Sequence, residues 1–140
     1  MRKYCIILII ILFLAIGFIG YLNVKSQKVK PLTDLNADDI KSIIIKTQMF
    51  ENSPQEKIVT DNEEIREVIE YFTKLKYNKL NEQVEENGWQ FWLIFDGWDK
   101  DIICTGNFVI VDGYRYEVKS ERGEEFLTIY KSIKSSTSDN

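Results

Sequence analysis

The sequence predicts an α+β protein in which an N-terminal transmembrane helix precedes a two-layer domain, with two helices on one face of a mainly antiparallel sheet. Three observations support this prediction. The chain begins with a long uncharged apolar run, two later segments repeat apolar residues at helical spacing, and several alternating segments end at turns that contain glycine. The predicted order of elements is ββ-α-ββββ-α, within a chain of 140 residues.

The apolar run occupies residues 4–22 and reads YCIILIIILFLAIGFIGYL. At about 1.5 Å per residue it would span roughly 28 Å, close to the ~30 Å hydrocarbon thickness of a bilayer. A cleaved signal peptide is the alternative, but its apolar region is usually ~7–15 residues long and ends at a small-x-small site. We therefore predict that residues 1–23 form an uncleaved membrane anchor.

Basic residues flank both ends of this anchor, so the positive-inside rule alone does not determine its orientation. The usual behaviour of signal anchors does. A short N-terminal tail and a large C-terminal region favour a single-pass protein of the cell membrane whose C-terminal domain is extracytoplasmic. Residues 24–36 are predicted to be a polar linker that contains Pro31, residues 37–134 the domain, and residues 135–140 a disordered tail.

The first half of the domain is predicted to contain two strands and a helix. Residues 41–50 alternate and are rich in β-branched side chains, which predicts a strand. After a segment of turn-forming residues, residues 57–60 are predicted to be a short return strand. Thr60 or Asp61 can cap a helix of about four turns. The apolar stripe of this helix consists of Ile65, Val68, Ile69, Phe72 and Leu75. A polar connection over residues 77–88 follows.

The second half is predicted to be a four-stranded meander and a helix. The strands are residues 89–95, 101–105, 108–111 and 114–118, and the Asp112-Gly113 turn between the last two is typical of a hairpin. Ser120 can cap the second helix. Its apolar stripe consists of Phe126, Ile129, Tyr130 and Ile133.

The segment GWQFWLIFDGWDK, residues 88–100, holds all three tryptophans. Alternation places Trp89, Phe91, Leu93 and Phe95 on the face that packs against the helices, and Trp92 and Ile94 on the other. If no bulge intervenes, Ile103, Val109 and Val111 join Trp92 and Ile94 on this second face. An apolar patch with a polar rim indicates an interaction surface, unless the 77–88 connection or the linker covers it. Trp98, at a turn, is a further contact candidate.

Composition excludes several functions. Residues 31–140 hold all 22 acidic residues but only 13 of the 18 Lys and Arg, a net charge of −9, so the domain lacks the basic patch that nucleic acids need. The chain has no histidine, which rules out Ser-His-Asp and Cys-His sites. The aspartates of DGWDKD lack the order of a calcium loop. No metal site, cofactor or catalytic residue is predicted, and Cys104 is predicted to be a buried apolar residue.

Four segments carry a resemblance to a known family: DIKSIIIKT, VTDNEEIREVIEYFTKL, NGWQFWLIF and TGNFVIVDGYRYEV. They resemble small membrane-anchored or secreted proteins of low-GC Gram-positive bacteria, a family built on a domain of unknown function. The resemblance covers most of residues 38–134 and implies an envelope location, but no catalytic residue. The order of elements is also similar to one half of the TATA-binding-protein fold, an architectural likeness that carries no DNA binding.

These observations favour a non-enzymatic, membrane-tethered envelope module that binds a protein partner through the outer sheet face. The alternative is a module that binds a small ligand, a glycan or a lipid, through Trp98 or Trp92. A third alternative is an enzyme that uses carboxylates, against which the absence of histidine and of any catalytic motif argues.

Overall fold

The structure is a computed structural model, and it describes residues 11, 27–52, 55–80, 88–118 and 122–134. The predicted anchor at residues 4–22, except residue 11, and the predicted tail at residues 135–140 lie outside the described residues. Over the ranges that are described, no helix combines the length and the apolar character needed to span a bilayer.

One antiparallel sheet of eight strands forms the first layer of the domain. Its strands are β1 (Gln27–Val29), β2 (Ser42–Thr47), β3 (Gln55–Val59), β4 (Tyr77–Lys79), β5 (Phe91–Asp96), β6 (Asp101–Thr105), β7 (Phe108–Val111) and β8 (Tyr114–Val118). Their order across the sheet is β1-β4-β8-β7-β6-β5-β2-β3, so the predicted four-stranded meander β5–β8 lies in its middle. The predicted α+β class with an antiparallel sheet is confirmed.

Two helices form the second layer, α1 (Asn62–Lys74) and α2 (Arg122–Ser132). Asp61 caps α1, because its Oδ1 accepts the backbone N–H groups of Glu63 at 2.9 Å and Glu64 at 3.0 Å. The four residues that begin the predicted stripe of α1 are all buried. Both helices were predicted at these positions because their apolar residues repeat at the helical period.

The hydrophobic core lies between the helices and one face of the sheet, which we call the inner face. The ring of Phe126 on α2 lies 4.9 Å from the ring of Phe72 on α1 and 4.9 Å from that of Phe91 on β5. Leu93 and Ile45, which are paired on β5 and β2, are fully buried beside them. These contacts place both helices on the inner face, as the sequence predicts.

Two short strands, β1 and β4, lie where the sequence predicts a linker and a polar connection. Val29 of β1 pairs with Tyr77 of β4, and Tyr77 pairs with Val118 of β8. Tyr77 is buried and donates its hydroxyl hydrogen bond to the carbonyl oxygen of Phe72 at 2.7 Å. The prediction missed these strands because each has only three residues and depends on distant partners, not on a local pattern.

The segment between β1 and β2 is also more than a linker. Leu32, Leu35 and Ile40 are buried in the core, and a 3₁₀ turn at Ala37–Asp39 lies between them. This segment therefore belongs to the folded domain, and the prediction of a free polar linker at residues 24–36 is wrong for its described part.

The predicted outer-face positions of Val109 and Val111 are wrong. Both are buried, each with 2% of its surface exposed, on the inner face. The reason is the two-residue turn at Gly106-Asn107, which pairs Thr105 directly with Phe108. Directly paired residues of antiparallel strands point to the same face, so Phe108 and Ile110 share the face of Ile103, while the two valines share that of Ile102.

Trp89 also departs from its predicted place in the core. Strand β5 begins at Phe91, after Trp89, and the half-buried Trp89 ring contacts the Trp92 ring edge-on with a centroid distance of 6.1 Å. The alternation of β5 holds only within the strand, where Phe91, Leu93 and Phe95 are buried as predicted.

Candidate functional site

The face of the sheet opposite the helices carries the apolar side chains that the sequence singled out. Trp92, Ile94 and Ile103 lie on it, as predicted from alternation. Ile44 also lies on it, as alternation predicts, and strand register adds Phe108 and Ile110, which the sequence analysis did not assign to this face. We define the outer face as Ile44, Trp92, Ile94, Ile103, Phe108 and Ile110, all of which are half-buried.

Charged side chains lie at both margins of the outer face. At one margin Lys46 pairs with Trp92 in register, forms an ion pair with Glu56 at 3.6 Å, and places its ammonium 5.5 Å from the centre of the Trp92 ring. At the other margin the guanidinium of Arg115 stacks 3.7 Å from the centre of the Phe108 ring. The arrangement is an apolar centre with a charged rim.

A cleft with a volume of about 430 Å³ lies at one end of the outer face. It forms where the β5–β6 turn and the β7–β8 turn meet, because alternate turns of a meander lie at the same end of the sheet. Its lining combines two tryptophans, one aliphatic residue, four charged residues and a glycine. These residues are Trp92, Ile94, Trp98, Asp99, Lys100, Asp101, Asp112 and Gly113.

The two tryptophans of the cleft are held in different ways. The indole Nε1 of Trp92 donates a hydrogen bond to Oδ2 of Asp101 at 2.7 Å, which fixes the ring plane. Trp98 packs edge-on against the buried ring of Phe95, with a centroid distance of 5.3 Å. The position of Trp98 at a turn predicted a contact residue, and the structure shows in addition that Trp98 is half-buried against the core as well as lining the cleft.

The β5–β6 turn, which carries Trp98, is fixed to the segment that precedes β2. The backbone N–H of Lys41 donates to the carbonyl oxygen of Asp96 at 2.8 Å. Gly97 has a φ of +118°, and a Cβ atom at this position would lie 2.1 Å from the carbonyl oxygen of Asp39. Only glycine fits this close approach of two backbones. The turn is therefore a packed wall of the cleft.

Lys100 ties the same turn to Asp34, with 2.5 Å between its Nζ and the Oδ2 of Asp34. This hydrogen bond raises the pKa of Lys100, and the negative charges of Asp99 and Asp112 raise it further. The same bond lowers the pKa of Asp34. The ammonium of Lys100 also lies 5.5 Å from the centre of the Trp98 ring.

The described residues of the cleft present three carboxylates and one ammonium group. Within the described ranges, no three Cys, Asp or Glu residues come together in a way that would hold a metal ion. Of the aspartates in DGWDKD, Asp99 and Asp101 line the cleft and Asp96 does not. Burial raises the pKa of the Cys104 thiol to about 12, so the nucleophilic thiolate is scarce near neutral pH.

Lys100, Asp112 and Gly113 are the cleft residues that the sequence analysis did not assign to a site. Asp112 has a positive φ of 52° and begins the β7–β8 turn, which the sequence correctly predicted as a hairpin. The predicted order of the strands could have indicated them, because the first and third turns of a meander lie side by side and this brings Asp112 near Asp99.

Comparisons with known proteins identify no relative. The chain matches no protein family model, no curated protein and no solved structure.

Proposed function

We propose that the protein is a non-enzymatic binding module of the bacterial cell envelope, tethered by residues 4–22, which engages a protein partner through its outer face. One observation carries this proposal: the outer face is apolar at its centre and charged at its rim, while both described helices pack on the opposite face. Such a distribution is typical of protein interfaces.

The size of the outer face indicates the kind of partner. It extends over the four strands β2, β5, β6 and β7, roughly 15 Å at ~4.8 Å between neighbours, and over about three residues of ~3.3 Å along a strand, roughly 10 Å. This apolar centre is much smaller than the ~800 Å² that each partner buries in a standard specific interface, which suits a reversible contact better than an obligate one. We therefore propose a partner that associates and dissociates, rather than a permanent subunit.

The proposal that the module is not an enzyme rests on the residues available. The chain has no histidine to serve as a general base, and the raised pKa of Cys104 leaves it protonated near neutral pH. The envelope location and the anchor rest on the apolar run and on the family resemblance. The likeness to one half of the TATA-binding-protein fold remains a proposal about architecture alone.

Site-specific photocrosslinking in living cells tests the protein-partner proposal. A photoreactive amino acid replaces Ile110 at the centre of the outer face, and in a matched control it replaces the exposed Glu67 on α1. We expect a discrete protein adduct from position 110 that disappears when Ile103→Glu is added beside it. The proposal is wrong if position 110 gives no adduct, or if position 67 gives the same one.

The cleft supports a second candidate function, the binding of a small ligand. The observation that favours it is that Trp92 and Trp98, which are six residues apart in the sequence, line one concave volume of about 430 Å³. Volumes of about 300–1,000 Å³ are usual for ligand pockets. A ligand that enters this cleft would contact both indoles and would change their fluorescence.

A further inference from the structure

The charges around the cleft do not balance. Asp99, Asp101 and Asp112 line it, and none of the three forms an ion pair with any described residue. Asp101 accepts the neutral N–H of Trp92, and no other hydrogen bond to its carboxylate is present among the described residues. The excess negative charge favours a cationic ligand and disfavours phosphate or another anion.

The lysines near the cleft do not cancel this excess. Lys100 lines the cleft but pairs with Asp34, and Lys46 lies beside Trp92 but pairs with Glu56. Each ammonium therefore has its own carboxylate, and that carboxylate does not line the cleft. The lining therefore carries three carboxylates against the single ammonium of Lys100, a net charge of −2 (1 − 3).

The tryptophans of the cleft already contact cations within the protein. The ammonium of Lys46 lies 5.5 Å from the centre of the Trp92 ring, and that of Lys100 lies 5.5 Å from the centre of the Trp98 ring. Both distances fall within the ~6 Å range of a cation–π interaction. The faces of both rings can thus hold an ammonium group, but the two lysines now occupy that position and a ligand ammonium would have to displace them.

The shape of the site distinguishes an organic cation from a metal ion. A calcium ion needs six to eight oxygen ligands that converge at about 2.3–2.6 Å, and the described acidic residues do not converge in this way. An organic ammonium group spreads its charge over its carbon substituents and needs no such convergence. Its substituents would contact the indole rings and Ile94, while the aspartates neutralise its charge.

We propose that this cleft binds an organic ammonium group, through the ring faces of Trp92 and Trp98 and the field of the three aspartates. The proposal rests on the small-ligand function of the cleft and specifies its ligand class. The ammonium group belongs either to a lipid head group or to a soluble amine, and the chemistry of recognition is the same for both.

Titration of the full chain in uncharged detergent micelles tests the proposal. The probe is choline, and the control ligand is 3,3-dimethylbutan-1-ol, which has the same shape without the charge. At constant ionic strength, we expect tryptophan fluorescence to report choline binding at least tenfold tighter than that of the neutral alcohol. Added salt should weaken choline binding, because it screens the aspartates.

Charge-neutralising variants locate the effect in the cleft. Asp99→Asn with Asp112→Asn removes two negative charges and keeps the side-chain shapes, and asparagine tolerates the positive φ of position 112. We expect this double variant to bind choline about tenfold more weakly, the effect of two charges at several ångströms in a largely aqueous site. The matched control, Glu67→Gln with Glu125→Gln, removes two exposed helix charges and should leave binding unchanged.

The results of these titrations distinguish two cases: the cleft binds a ligand that is not an ammonium compound, or the cleft binds no small ligand. Equal binding of choline and the neutral alcohol, or a double variant that binds choline normally, overturns the ammonium proposal while a ligand site remains. A response to N-acetylglucosamine alone also overturns it and keeps the ligand site. No response to choline, the alcohol or the sugar overturns both.

A vesicle arm identifies the source of the ammonium group. The full chain is reconstituted into vesicles of phosphatidylglycerol alone or of phosphatidylglycerol with phosphatidylcholine. Weaker binding of free choline in the mixed vesicles supports the proposal with a lipid head group as ligand, since the head group then competes. Equal choline binding in both vesicles supports it with a soluble amine.

Discussion

Trp98 combines two roles at the scale of a single residue. One part of its ring packs edge-on against Phe95 in the core, and another part lines the cleft. Replacement by alanine would therefore remove a packing contact and a binding contact together. Trp98→Phe keeps an aromatic ring on Phe95 and is the more informative variant for separating stability from ligand binding.

Gly97 gives a prediction at the same scale. Gly97→Ala must strain the backbone at a φ of +118° and must move the carbonyl of Asp39, 2.1 Å from the new Cβ. We expect a loss of about 3 kcal/mol in the free energy of unfolding, measured by urea denaturation followed by tryptophan fluorescence. Gly113→Ala is the control, because its φ of +72° is also positive but no atom lies within 4 Å of the added Cβ.

The control should lose only about 1 kcal/mol, the usual cost of placing a side chain in the left-handed region. Equal losses in the two variants would show that the contact between Gly97 and Asp39 does not constrain the turn.

At the scale of elements, the end of α2 depends on a single lysine of the edge strand β3. The Nζ of Lys57 donates hydrogen bonds to the carbonyl oxygens of Tyr130 at 2.6 Å and Ile133 at 2.9 Å. It also lies 4.6 Å from the centre of the Tyr130 ring. Carbonyl groups in the last turn of a helix have no partner within the helix, so Lys57 acts as its C-terminal cap.

We predict that Lys57→Met destabilises the protein by about 2 kcal/mol, because two helix-terminal carbonyls lose a charged donor. Urea denaturation measures the loss, and faster amide hydrogen exchange in the last turn of α2 locates it. Lys46→Met is the matched control: it removes a partly exposed ion pair with Glu56, and such pairs contribute about 0–1 kcal/mol. A loss in Lys57→Met no larger than in the control contradicts the capping role.

The sequence predicted the elements whose residues carry a local pattern. Helix α1 has a cap and an apolar stripe, and β5 to β8 alternate between glycine-containing turns. Strands β1 and β4 have no pattern of their own, because pairing of Val29 with Tyr77 and of Tyr77 with Val118 defines them. Local patterns cannot reveal an element that only distant partners stabilise.

The candidate site was predictable in part for a related reason. Alternation within β5 and β6 placed Trp92, Ile94 and Ile103 correctly. It failed for Val109 and Val111, because the length of the turn before β7 determines which of its residues point to the outer face. The two-residue turn pairs Thr105 with Phe108 and so places both valines on the inner face. The cleft forms only where the β5–β6 turn and the β7–β8 turn meet in space, and no local sequence pattern predicts this contact.

At the scale of the whole molecule, the acidic domain is expected to lie outside the cytoplasmic membrane. The outer face and the cleft would then be available to envelope components. This location follows from the apolar run at residues 4–22 and stays a prediction.

Cysteine accessibility on intact cells measures this orientation. In a chain carrying Cys5→Ser and Cys104→Ala, the exposed Thr60 is changed to cysteine and treated with a membrane-impermeant maleimide. We expect Thr60→Cys to react on intact cells, and the control Arg2→Cys to react only after permeabilisation. The opposite pattern would place the domain in the cytoplasm.

The close packing of Gly97 against Asp39 has a consequence for the kinetics of recognition. The turn that carries Trp98 is fixed by this contact and by the Lys100–Asp34 pair, so it has little conformational entropy left to lose when a ligand enters. Such a preorganised wall needs no slow rearrangement during association. Ligands of different affinity should therefore differ mainly in their residence times, set by how fast each one leaves.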